Sequence, residues 1–226
     1  MNTAILHDLG LIEYEKAWQE QKLIFNDSIH QKLEHKKPAH HILVCEHPHV
    51  YTMGKSAKSE NLLLSQAELE DKSIQVYDIE RGGDITYHGP GQLVVYPVFD
   101  IEQMHLGVKS FVHKIEQCII QLLLKYGIEA ESIEDRIGIW IGRDTKHERK
   151  IAAIGIKCSR HVTMHGLALN VNTDLGLFDH IIPCGIQDKE VSSMEKELGR
   201  KLDMAEIKKD LLNEFSAIFD LKLISQ

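Results

Sequence analysis

The chain has 226 residues, 43% of them hydrophobic and 27% charged, with 15 Gly and 5 Pro, a composition that excludes collagen-like, low-complexity and largely disordered chains. Its 34 Asp and Glu outnumber 26 Lys and Arg, so a broad nucleic-acid-binding face, which needs clustered cations, is not expected. No apolar run approaches the ~20 residues that span a bilayer, and the N-terminal stretch carries Asp8, Glu13 and Glu15 before any Arg, unlike a secretory signal or a transit peptide. The length suits one α/β or α+β domain, or two small ones sharing a core, with no membrane segment and a place in the cytoplasm expected. Ala4 to Leu9 reads as a strand and Tyr14 to about Glu34 as a helix, with Trp18, Leu23, Ile24 and Ile29 set among charges. His41 to Cys45 reads as a buried strand leading into a proline-containing loop. Ser65 to Asp71 is a short helix; Ile74–Ile79, Ile85–Tyr87 and Leu93–Phe99 read as strands. Val108 to Tyr126 gives the clearest helix signal, because Val108, Phe111, Val112, Ile115, Ile119 and Leu122 recur at three- and four-residue steps, with Gly127 placed to cap it. Ile137–Ile141, Ile151–Lys157 and Val162–Val171 follow as strands. Ser192-Ser193-Met194-Glu195 suggests a capping box, and Met204–Phe219 an amphipathic terminal helix. Closely spaced strands interrupted by long helices predict an α+β fold with a mixed, mainly antiparallel sheet flanked by helices.

Three segments carry chemistry. In Arg81-Gly82-Gly83-Asp84-Ile85-Thr86-Tyr87-His88-Gly89-Pro90-Gly91-Gln92, closely spaced glycines leave the backbone bare enough to wall a ligand slot, with Arg81, Thr86, Tyr87 and His88 as polar contacts. It is neither a Walker loop nor a dinucleotide fingerprint. In Lys150-Ile151-Ala152-Ala153-Ile154-Gly155, a lysine enters a strand whose small residues leave room for a slender acyl chain. The third is His165-Gly166-Leu167-Ala168-Leu169-Asn170-Val171-Asn172, followed by Pro183-Cys184-Gly185. Of the four cysteines, Cys45 and Cys118 sit in apolar runs and read as core residues. Cys158, in a polar strand end, and Cys184, in a turn, remain as candidate nucleophiles, and an ammonium nearby would favour either thiolate. From Arg143 to His161, six cations (Arg143, Lys146, Arg149, Lys150, Lys157, Arg160) face two acids (Asp144, Glu148), a local basic stretch on an acidic chain that is either a solvated loop or a docking surface.

Together with Glu46-His47-Pro48 and Tyr51-Thr52-Met53-Gly54, these blocks, in this order and over most of the chain, resemble the lipoyl(octanoyl) transferase family. The resemblance implies a single catalytic domain of the biotin/lipoate protein ligase type over 1–226. It implies Cys184 as the acyl-bearing nucleophile, Lys150 as its partner, and substrate contacts from Arg81, Gly82, Gly83, Asp84, Ile85, Thr86, Tyr87 and His88. Further contacts are implied for Ala153, Ile154 and Gly155 and for Gly166, Leu167 and Ala168. The implied donor is octanoyl-acyl carrier protein. The implied acceptors are lipoyl domains of 2-oxoacid dehydrogenase complexes and the glycine cleavage H protein, with no ATP, metal or other cofactor. Two features depart from the family pattern: a highly charged connection from Asp144 to Arg149, and Ser192-Ser193 where Thr-Ser is expected. Three other readings compete. One is an ATP-dependent lipoate-protein ligase of the same fold. Another is a zinc site drawn from His35, His40, His41, Cys45, His47 and His49, whose spacings match no common ligand pattern. The third is a lipoyl-domain-binding module without turnover.

Overall fold

Apolar residues on both faces of consecutive strands require cover on both sides, and the chain supplies it with three long helices. The computed structural model describes residues 2–182 and 190–225. Its elements are β1 (Asn2–Leu11), α1 (Tyr14–Leu33), β2 (His40–Glu46), β3 (Val50–Met53), α2 (Gln66–Asp71), β4 (Gln75–Asp78), β5 (Ile85–His88), β6 (Gln92–Val98) and α3 (Val108–Lys125). These are followed by β7 (Glu131–Ile133), β8 (Arg136–Ile141), β9 (Arg149–Ser159), β10 (Val162–Asn170), β11 (Glu190–Val191), α4 (Met194–Leu198), α5 (Met204–Phe219) and β12 (Leu221–Ser225).

The main sheet runs β12-β1-β2-β6-β10-β9-β8-β7, with β11 added to β9. The pairs from β2 through β6, β10, β9 and β8 to β7 are antiparallel, whereas β12-β1, β1-β2 and β11-β9 are parallel. Alternation along β2, β6 and β10 divides the core. Ile42, Val44, Leu93, Val95, Leu167 and Leu169 face α3 and α5. Leu43, Cys45, Val94, Tyr96, Met164 and Ala168 face α1. A second sheet, β4-β3-β5, packs Tyr51, Ile85 and Tyr87 over α2 and Ile181. The domain is therefore the mixed, mainly antiparallel α+β fold expected, and no helix among the described residues is long and apolar enough to cross a membrane.

Three local expectations change. Val50–Met53, expected as loop, is the central strand of the small sheet, because β4 and β5 pair to either side of it. The chain does not end on a helix: Leu221–Ser225 joins β1 as a parallel edge strand. The reciprocal capping box lies at Ser65 and Glu68 of α2. At α4, Ser193 alone caps, its hydroxyl accepting from Lys196 N, while Ser192 turns its hydroxyl to Glu197.

Candidate active site

The α1-facing side of the main sheet holds a pocket whose floor is the β9–β10 hairpin. The two short stretches singled out in the sequence lie directly opposite each other there: Gly155 pairs with Gly166, Ile154 with Leu167 and Ala153 with Ala168. All six line the pocket. Gly155 and Gly166 have no side chain and Ala153 and Ala168 only a methyl, while Ile154 and Leu167 pack against the α3–α5 core, so a narrow slot remains between the hairpin and the elements above. The Arg81–Gly83 turn roofs one end, where Gly82 N donates to Ile156 O at 3.0 Å. Gly155 makes this approach possible: a Cβ there would stand 2.8 Å from Gly82 O and 3.0 Å from Arg81 Cδ. Arg81, Thr86 and His88 complete the wall.

The other residues of the glycine-rich block support the pocket from behind. Tyr87 is fully buried against Tyr51 and Phe178, its hydroxyl bonded to His49 Nδ1 at 2.7 Å. Ile85 belongs to the small sheet's core. Asp84 accepts from Asn61 Nδ2 at 2.8 Å, and Asn61 O in turn receives Ile182 N at 2.8 Å. Asp84 thus anchors the last described residue before the 183–189 segment. Sequence reasoning missed four pocket residues: Tyr14, Val94, Tyr96 and His165. Tyr14 opens α1 and gave no local signal, since only the docking of that helix stacks its ring nearly parallel to His88, centres 5.9 Å apart. His165 heads a block already singled out, so its place in the motif was the available clue.

A polar relay fixes the imidazole of His88. Arg81 Nη2 donates to Thr52 O at 2.7 Å and to Thr52 Oγ1 at 3.1 Å, which leaves the Thr52 hydroxyl proton for His88 Nε2 at 3.4 Å. His88 Nδ1 then donates to Gln92 Oε1 at 2.7 Å, and the Gln92 amide donates to Tyr87 O and Asn170 Oδ1. Asn170 Nδ2 ends the chain on Ser192 O at 3.0 Å. Burial first, then neighbouring His47, lowers His88 to about 3, so the ring is neutral. His165, 2% exposed, is likewise lowered to about 3 by burial and by the cations Arg81, Lys157 and Lys22. Among the described residues neither of its ring nitrogens has a hydrogen-bond partner, and its φ of +62° is unusual for a strand residue.

Lys150 lies on β9 three positions before Ala153, roughly 10 Å along the strand. Its Nζ stands 4.8 Å from the centre of the Trp140 ring, and its carbonyl accepts from Ser192 N at 2.8 Å. Cys184 lies outside the described residues; the segment containing it is followed by β11, whose Val191 pairs with Lys150. The other thiols are poor nucleophiles, since burial pushes Cys45, Cys118 and Cys158 up. The histidines weighed as a zinc site do not converge. His40 faces Asp100 N, His41 pairs with His7, His47 bonds Ile12 O and Tyr96, and His49 meets Tyr87. Among the described residues no cluster of three metal-ligating side chains occurs. Within the basic stretch, Arg143 pairs with Glu131 and Asp144, Arg149 with Glu197, and Lys157 with Glu80, so at least three of its six cations are ion-paired within the fold.

A model of the lipoyl protein ligase A/B catalytic domain matches residues 18–216. A protein of Bacteroides fragilis (strain YCH46) named octanoyltransferase is 48% identical over 213 residues, covering 94% of this chain and 96% of that protein. One of the same name from Flavobacterium johnsoniae is 44% identical over 232 residues, covering 99% and 100%. Among solved structures, the bi-partite lipoate protein ligase of Thermoplasma acidophilum superposes with a TM-score of 0.74 at 15% identity, covering 100% of this chain and 87% of the other. At that identity the likeness concerns the fold.

Proposed function

The chain belongs to the lipoyl protein ligase A/B catalytic domain family, and from that membership we propose that it is an octanoyltransferase acting in protein lipoylation. The observation that carries the proposal is a single strand: β9 bears Lys150 and, three residues further, the small-residue wall of a slot suited to an unbranched acyl chain. In the first step the Cys184 thiolate, held ionised by the Lys150 ammonium, attacks the carbonyl carbon of octanoyl-acyl carrier protein. The carrier's sulfur leaves with the proton of Lys150, whose amine becomes neutral, and the octanoyl group remains on Cys184 as a thioester. In the second step the ε-amine of a lysine on a lipoyl domain, or on the glycine cleavage H protein, attacks that thioester. Lys150 takes up the amine's proton and returns one to the departing sulfur. A thioester is exchanged for an amide, so the reaction needs neither ATP nor a metal. Its place is the cytoplasm, where the nucleophile stays a thiol.

Arg81, Thr86 and His88, with the facing stretches of β9 and β10, form the acyl subsite in this reading. Gly82, Gly83, Asp84, Ile85 and Tyr87 shape it from behind. The test is intact-protein mass after mixing with octanoyl-acyl carrier protein in the absence of ATP. An octanoyl adduct is expected on the parent protein, none on Cys184→Ala, and slow formation on Lys150→Ala. A Cys184→Ala protein that transfers octanoate at the parent rate would sink the assignment, and a strict need for ATP would favour the ligase reading.

A further inference from the structure

The amine of Lys150 does not sit on a generic strand. Opposite it, β8 and β9 lose register between Ile139 and Trp140: Ile139 pairs with Ala152, and Trp140 pairs with Lys150. This bulge sets the Trp140 ring under the lysine, with Nζ 4.8 Å from its centre. The ring itself is fixed. Trp140 is 4% exposed, its indole N–H donates to Arg136 O at 3.0 Å, and the Arg136 guanidinium lies 5.2 Å from the ring, held by the buried Glu148. Two residues before Trp140, Gly138 has a φ of +123°, a conformation that disfavours any side chain. A Cβ there would lie 2.7 Å from Ala152 O, 2.8 Å from Lys150 Cε and 3.2 Å from Nζ. The Ala152 carbonyl and the stem of the lysine together therefore occupy the space that a side chain at position 138 would take.

We propose that Gly138 and Trp140 are positioning residues that seat the Lys150 amine for acyl transfer, the glycine clearing the path of the methylene stem and the indole face holding the ammonium end. The proposal rests on Lys150 acting as the partner of Cys184. An aromatic face favours a cation over a neutral amine, so the ring keeps Lys150 charged as well as placed. Among the described residues, Arg149 pairs with Glu197, Arg136 with Glu148, and Glu116 lies beside His113.

The experiment is a double-mutant cycle on the full chain. The rate of octanoyl-enzyme formation from octanoyl-acyl carrier protein is followed by rapid-quench mass spectrometry across pH, for the parent, Trp140→Leu, Trp140→Phe, Gly138→Ala and Lys150→Ala. Trp140→Leu and Trp140→Phe are also combined with Lys150→Ala. Trp140→Leu should slow the step about tenfold and move the amine limb of the pH profile to lower pH. Trp140→Phe should lose roughly two- to threefold, and Gly138→Ala should be slow at any pH. In the Lys150→Ala background the Trp140 substitutions should cost nothing further. If Trp140→Leu does not fold, Trp140→Phe decides by the same cycle. A slow Lys150→Ala beside a parent-like Trp140 variant, or equal losses in both backgrounds, would overturn the seat alone. A Lys150→Ala protein as fast as the parent would overturn the role of Lys150 and the seat with it.

Discussion

At the scale of single residues, the pocket keeps its imidazoles neutral. His88 and His165 titrate at about 3 in the folded chain, against about 6.5 for an unperturbed ring. The unfolded chain therefore binds protons first, and the folded state loses stability as pH falls from about 6.5 toward 3. At pH 5 each ring accounts for about 2 kcal/mol of that loss. Because His165 has no hydrogen-bond partner among the described residues, His165→Leu removes a titrating group without breaking a bond. Urea midpoints measured between pH 7 and pH 5 should fall less steeply for His165→Leu than for the parent; equal slopes would mean that the ring is not held neutral. Gln92 is the opposite case. It is 1% exposed and bonded to His88, Tyr87 and Asn170 at once. Gln92→Leu leaves buried polar groups unmatched and should cost about 2–3 kcal/mol in chemical denaturation.

At the scale of elements, the β9–β10 hairpin decides what the pocket admits. Two short stretches separated by a tight turn face each other only because Val162–Asn170 folds back on Arg149–Ser159 in strict antiparallel register. The wall can be thickened at one position without disturbing the core. Ala153 is half-buried, opposite Ala168. Ala153→Leu should favour hexanoyl over octanoyl carrier protein as donor by about tenfold relative to the parent, since each methylene that no longer fits forfeits about 0.8 kcal/mol and the added bulk causes strain. Competition between the two donors, read by adduct mass, checks this, and an unchanged ratio would show that the chain does not pass Ala153. The strand ends carry a different task. Ser192, Glu197 and Arg149 tie β11 and α4 to β9 beside Lys150, Arg149 Nε donating to Glu197 Oε1 at 2.6 Å. The serine pair noted in the sequence as a cap is divided between this clamp and the helix start, because only one hydroxyl can reach the first turn of α4.

At the scale of the whole molecule, one side of the main sheet is given to stability and the other to the pocket. On the α3–α5 side, away from the pocket residues, Phe111 and Phe219 meet Phe99 edge to face and Phe215 stacks on Phe219. Phe215→Ala should therefore cost about 3–5 kcal/mol while leaving the KM for the acyl donor unchanged at temperatures where the protein remains folded. A thermal melt and a donor titration test the two halves. Helix α3 was legible because its apolar residues repeat with the helical period over many turns, a signal that any tertiary context preserves. The strand Val50–Met53 was not, since four residues carry too little periodicity and its identity depends on β4 and β5 arriving from 25 and more residues away. The edge strand Leu221–Ser225 is similar: among the described residues its one strand partner is β1, far earlier in the chain.

What the amino-acid order determined by itself was the long helices and most of the main-sheet strands, the α+β class, the family, and the short blocks in which chemistry resides, because each of these is written in contiguous residues. Which side chains line one cavity was decided only by tertiary structure. Tyr14, Val94, Tyr96 and His165 enter the pocket through helix docking and sheet order, and Trp140 meets Lys150 through a bulge in a ladder. Sequence neighbours share a local conformation, whereas a binding wall is assembled from residues that are close only after the chain has crossed itself. That distance is set by packing, which no single segment encodes.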